Sequence, residues 1–190
     1  MADPTRRLSP ELVPQPLWGI SGHKLLKSAW ARRIRPQVVA EAEGRCTCCG
    51  GKTKLMFAHE EWDYDDSSGV ATVTGLTLIC QDCNSVTHFG RLPSEYDEQA
   101  LQHLASVNGI KREEAETLRR EAFGVWARRS AREWTVEVSP EVVARYPDMG
   151  DLPERARAAL EAGEGVGRRG SVPEERDVAR WVAVQKNATR

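Results

Sequence analysis

Two pairs of cysteines constrain this chain more than anything else in it. Cys46-Thr-Cys48-Cys49 and Cys80-Gln-Asp-Cys83 are separated by 30 residues and contain all five cysteines of the sequence. An odd count, with no visible signal peptide, speaks against a disulfide framework. Grouping into two Cys-x-x-Cys turns speaks for a metal. Zinc takes four soft ligands in a tetrahedron, and two tight turns can deliver two thiolates each. The expected ligands are Cys46, Cys49, Cys80 and Cys83, holding Zn²⁺ in a closed, structural site. Gly50-Gly51 lets the backbone after the first pair curl so that its amides face the sulfurs. Cys48 lies between two of these ligands and is placed to replace a neighbour. Zinc binding to such sites reaches about 10 to 16 kcal/mol at neutral pH, which matters greatly to a module with few core residues.

The 190 residues suffice for one ordinary domain or a small module with helical attachments. With 27 Lys plus Arg against 28 Asp plus Glu, the net charge is −1, which excludes a globally basic nucleic-acid coat. No stretch approaches the roughly 18 to 20 apolar residues of a membrane span. The N-terminus runs into prolines rather than an apolar core, so the expected compartment is the cytoplasm, with no membrane partner.

Residues 1–22 hold four prolines (Pro4, Pro10, Pro14, Pro16) and read as an extended arm. Residues 23–44 read as a helix through Leu25, Leu26, Ala29, Trp30 and Ile34, kinked or restarted at Pro36 and stopped at Gly44. Residues 45–93 form the zinc module. Short strands are expected at Leu55–Ala58, Val70–Thr74 and Leu76–Ile79, with an acidic turn from Asp63 to Gly69. Residues 94–146 are a helical extension. One helix starts at Ser94 as cap and stops at Asn108-Gly109, and a second runs from about Lys111 to Arg129. A strand follows at Trp134–Val138, then a short helix opened by Ser139-Pro140. Residues 147–190 read as a tail, with helices around 153–162 and 173–186 on either side of a glycine-rich loop. The fold class expected is α+β, mostly helical, with a small zinc-stabilised ββα module flanked by helices.

Between the cysteine pairs lies Ala58-His59-Glu60-Glu61-Trp62, and after the second pair comes Asn84-Ser85-Val86-Thr87-His88. Cys-x-x-Cys, His, apolar strand, Cys-x-x-Cys and a further His, in that order, resemble the four-cysteine branch of the HNH endonuclease family over about residues 46–90. The resemblance implies a ββα-metal fold in which a strand histidine activates water against a DNA phosphodiester. It also implies a catalytic cation, Mg²⁺ or another divalent ion. His59 matches the first histidine. Asn84 falls where the family has a metal-binding His, and His88, one helical turn on, is placed to take that role.

The pattern departs from the family at two points. The middle Asn, which orients the base, falls on Gly75 beside Thr74, where only a backbone carbonyl is available. The acid before the base is Ala58, with Glu60 after it. In one register His59 is the base and Glu60 a displaced ligand; in the other His59 is a ligand and Glu60 the base. The alternative to a nuclease is a non-catalytic zinc module that binds nucleic acid or a protein partner.

Charge is unevenly spread. Residues 51–94 carry three basic and six acidic residues, residues 1–50 eight and four, and residues 111–132 seven and four. Phosphate contacts are therefore expected on the flanks, from Arg32, Arg33, Arg119, Arg120, Arg128 and Arg129. His103 and Asn108 are expected to be structural unless a helix packs onto the module.

Overall fold

The structure, a computed structural model, describes residues 7–91 and 94–163. At its centre is a three-stranded sheet in the order β1-β2-β3. β1 (Met56–Asp65) and β2 (Val70–Cys80) form an antiparallel hairpin, and β3 (Thr135–Val138) joins β2 in parallel. The fold is mixed α+β and mostly helical, as expected.

The hairpin strands are longer than the sequence suggests. β1 continues past Ala58 because Trp62 and Tyr64 alternate with exposed Glu61, Asp63 and Asp65. The acids mask a period of two, so the acidic turn begins at Asp65 rather than Asp63. There the Asp65 carboxylate accepts from Ser67 and Ser68, and Gly69 closes the turn with a φ of 73°. Likewise the two expected strands at 70–74 and 76–79 are one strand. Gly75 sits inside it, opposite Glu61 and next to a bulge between Glu61 and Trp62.

A helical run precedes the hairpin: Gly22–Leu25 (α1), Lys27–Ala29 (α2), a π turn over Trp30–Ile34, then Arg35–Glu41 (α3). Pro36 restarts rather than ends it. Arg35 N–H donates to Trp30 C=O, the wider register letting Pro36 sit in the first turn of α3, where its missing N–H costs nothing. After β2 come α4 (Gln81–Thr87), α5 (Asp97–Asn108) and α6 (Arg112–Ser130). Helix α5 begins at Asp97, with Tyr96 rather than Ser94 in the capping position and a 3-10 turn before it. Gly109 ends it in the left-handed region, φ 65°. Ser139 caps α7 (Pro140–Arg145) by accepting from Val142 N–H, and α8 is Leu152–Glu161.

Two apolar clusters hold these elements. The larger joins α1–α3, one face of the sheet, α7 and α8 through Trp30, Ile34, Val73, Leu78, Trp134, Met149 and Leu152. The smaller surrounds the cysteines and joins α4, α5 and α6 through Val86, Phe89, Leu101, Leu104 and Ala115. The arm is not free of this core. Leu8 enters the small cluster and Leu17 and Ile20 the large one, and Asn108 clamps the arm by exchanging hydrogen bonds with the Leu8 backbone. The start of the expected tail is also core, since Leu152, Ala156 and Ala159 are buried. The helix expected around 173–186 and most of the glycine-rich loop lie outside the described residues.

Candidate functional site

The metal centre is assembled by two turns brought together by strand pairing. Thr47 N–H and its hydroxyl both donate to Leu78 C=O, which docks the first cysteine turn against the end of β2. That strand runs directly into Cys80 and the start of α4. Cys46 N–H donates to Gly51 C=O and Gly50 N–H to Cys46 C=O; Gly50 has a φ of 74°, and Gly51 N–H points at Cys49 Sγ, 3.4 Å away.

As a result, the sulfurs of Cys46, Cys49, Cys80 and Cys83 all lie within 4.8 Å of one another. Cys49 and Cys80 Sγ are 3.7 Å apart. A tetrahedron with zinc–sulfur bonds of about 2.3 Å has edges of about 3.8 Å, so the donor set fits a closed four-thiolate ion such as zinc. Burial raises the Cys46 thiol pKa, but the amides of Cys49, Cys80 and Cys48 outweigh it and bring the thiol to about 7. Such amides stabilise a thiolate. Cys48, half-buried beside the four, is not among the sulfurs that gather, and the neighbouring Cys83 thiol lowers its pKa.

His103 belongs to this centre as well. Its Nε2 lies 3.2 Å from Cys83 Sγ, across the packing of α4 against α5. A ring N–H aimed at a ligating thiolate orients it and disperses its charge, as outer partners of metal ligands do. The signal in the sequence is faint: His103 interrupts the buried stripe Ala100, Leu104, Val107 of α5.

A second cluster lies on the same hairpin and helix. His59 is on β1 and His88 is at the C-terminal end of α4. Their Nε2 atoms are 3.1 Å apart and their ring centroids 5.0 Å. Burial lowers the His59 pKa to about 4, partly offset by the Glu60 backbone, so the ring is neutral at neutral pH and keeps a lone pair. A cavity of about 570 Å³ opens over both rings and is also lined by Asn84. Asn84 sits inside α4, and its backbone carbonyl accepts from the His88 backbone N–H.

Glu60 lines the same cavity, but its carboxylate is held on the other side, by the start of α1. Neighbouring residues on a strand point to opposite faces. The Glu60 carboxylate accepts from Gly22 N–H at 2.7 Å, with help from the His23 amide, and so caps α1 from across the sheet edge. Its pKa is raised by burial. Gly75 brings no side chain, and the Glu61 carboxylate lies over it, in space that a side chain at 75 would need.

The expected basic rim is largely engaged within the protein. Arg33 forms a fork with Asp148 at 2.7 and 2.6 Å. Arg119, only 17% exposed, pairs with Asp97 and Glu116. Arg129 pairs with Asp66 and covers the Tyr64 ring. Arg120 and Arg128 are exposed and bond within α6, to Thr117 and to Gly124 C=O. Arg32 is exposed, with no ion pair among the described residues. Lys24 and Arg35, absent from the expected set, line the cavity beside the histidines. Comparisons with family models, with curated proteins and with solved structures find no match. No helix among the described residues is long and apolar enough to cross a membrane.

Proposed function

We propose that this chain is an HNH-like, metal-dependent endonuclease that hydrolyses DNA phosphodiesters. The observation that carries the reading is the convergence of His59 and His88, Nε2 to Nε2, at the floor of a cavity between a β-hairpin and the helix that follows it. Cys80 at the end of β2 and Cys83 on α4 meet Cys46 and Cys49 of the turn before β1, and an ion held by the four would fasten that helix to the hairpin. In this reading His59, neutral and recessed, takes the proton of the attacking water. His88, with Asn84 in the same cavity, holds the divalent cation. An imidazole and an amide oxygen suit Mn²⁺, Co²⁺ or Ni²⁺ better than Mg²⁺, which prefers oxygen ligands and keeps its waters. That ion would supply charge neutralisation at the phosphate and the leaving oxygen. Glu60 lines the cavity with one carboxylate oxygen engaged by Gly22 N–H, and in this reading it supports α1 rather than the chemistry.

The second reading, a non-catalytic zinc module that binds nucleic acid or a protein, is favoured by one specific observation. One Glu60 carboxylate oxygen accepts from Gly22 N–H, and position 75, where the family has Asn, is glycine. Cleavage of plasmid and of single-stranded oligonucleotides with Mg²⁺, Mn²⁺, Co²⁺ or Ni²⁺ separates the two. The nuclease reading expects cleavage that falls by about 10² to 10⁴ in His59→Ala, with zinc content and fold unchanged. His88→Ala should recover partly at high cation concentration, and Glu60→Gln should cut normally. A wild-type protein that cuts with none of these ions, or His59→Ala that cuts as well as wild type, returns the chain to the non-catalytic reading.

A further inference from the structure

The cavity over the histidines has an aromatic wall and a cationic rim. Trp18 of the arm and Trp126 of α6 stack at 6.4 Å with planes 19° apart. Both indole N–H groups donate to the same acceptor, Val13 C=O, at 2.9 and 3.1 Å, which fixes the two rings as one unit. Phe123 packs edge-on to Trp126. On the strand side, Phe57 is 38% exposed and Leu55 56% exposed, although both are large and apolar. Phe57 precedes His59 by two residues and shares its face of β1. Lys24 and Arg35 line the cavity from the helical run; both are exposed, and neither is in an ion pair among the described residues.

We propose that this cavity takes an unpaired nucleotide of a single-stranded nucleic acid, its base against Phe57 and the tryptophan wall and its phosphate among His59, His88, Lys24 and Arg35. This rests on the nuclease reading for the role of the histidines, but not for the binding itself. Two features select the single strand. His59 is only 9% exposed, so a phosphate must enter a recess to reach it. A stiff duplex holds its phosphates on the outside of a broad cylinder with the bases stacked inside, whereas a flexible strand can turn both phosphate and base inward. The cavity volume, about 570 Å³, falls in the range of pockets that enclose molecules of nucleotide size. Aromatic faces accept any base, and cations nearby answer the phosphate, the combination by which single strands are bound without sequence preference.

The test is binding of a fluorescein-labelled oligothymidylate, and of a hairpin duplex of similar length, to the zinc-loaded protein without added divalent ions. Expected are tighter binding to the single strand, quenching of tryptophan fluorescence on binding, and a roughly ten-fold affinity loss in Phe57→Ala. Lys24→Ala should reduce the salt dependence by about one contact. Both substitutions are on exposed side chains, and unchanged zinc content and melting temperature will show that each variant is folded. Equal or tighter binding to the duplex, or affinity unmoved in both variants, overturns the proposal even if the protein nicks plasmid. Single-strand binding with these losses supports it even if no ion produces cleavage, in which case only the nuclease reading falls.

Discussion

Glu11 shows how far the setting of one side chain can depart from its residue type. It comes from the proline-rich arm, yet its carboxyl accepts from Trp62 N–H at the β1 bulge. Burial raises its pKa from an ordinary 4.5 to about 7, opposed by the Trp62 amide and reinforced by Glu61 and Glu60. The folded state therefore keeps a proton that the unfolded chain releases above about pH 4.5. The associated stability is complete below that pH and is lost as pH rises through about 7, amounting to about 3 kcal/mol at most. His59 has the opposite sign: its pKa is lowered to about 4, so its share is present above about 6.5 and lost as pH falls towards 4. The two partly cancel in the wild type, so the informative quantity is a difference. Glu11→Gln keeps an acceptor for Trp62 and removes the titration. Its denaturation free energy, relative to wild type, should rise between pH 5 and pH 8. A difference that stays level across that interval would refute a raised pKa for the half-buried Glu11.

At the scale of elements, the hairpin decides which residues meet. His59 and Glu60 are adjacent in sequence and line one cavity, but their polar partners differ, His88 after α4 for one and Gly22 of α1 for the other. Pairing also explains Gly75. Opposite the bulge, Glu61 folds over β2, and a Cβ at 75 would collide with its Oε2. The obstacle is the far end of an exposed side chain, not backbone, and Gly75 has no left-handed φ to protect. Gly75→Asn should therefore be tolerated at a cost of about 1 kcal/mol, with Glu61 swinging into water, and Gly75→Asn with Glu61→Ala should melt at or above the single variant. Thermal denaturation of both proteins checks this. A single variant that fails to fold and is not rescued by Glu61→Ala would show that the strands, not the carboxylate, require glycine. Gly22 is the contrasting case. Its Cβ would lie 2.6 Å from the buried Trp30 ring, which has nowhere to move.

For the whole molecule, the metal centre and the large core are separable supports. The cysteines lie in the small cluster with α4, α5 and α6, while the helical run, β3, α7 and α8 bury the large one without a cysteine. Purified protein should carry about one zinc per chain, and chelation or Cys80→Ser should release it. Hydrogen exchange should then accelerate in α4 and α5, while β3 and α8 keep protection for longer. Uniform exchange throughout would mean that one cooperative unit depends on the metal, and a zinc-free Cys80→Ser with native protection in α5 would mean that the four thiolates are not a metal site.

The sequence by itself determined the elements whose signals are local. The cysteine turns are defined by spacing, the end of α5 by Gly109, the start of α7 by Ser139-Pro140, and α6 by its period. These depend on a few neighbouring backbone torsions and bonds, so neighbouring residues suffice to specify them. Only the tertiary structure decided the length of the hairpin, the parallel docking of β3, the hydrogen bond of Glu60 to the start of α1, and the arrival of His103 at Cys83. It also decided which basic residues are held in internal ion pairs. Each of these depends on partners dozens of residues away, and their meeting is set by strand register and core packing, which no local pattern encodes.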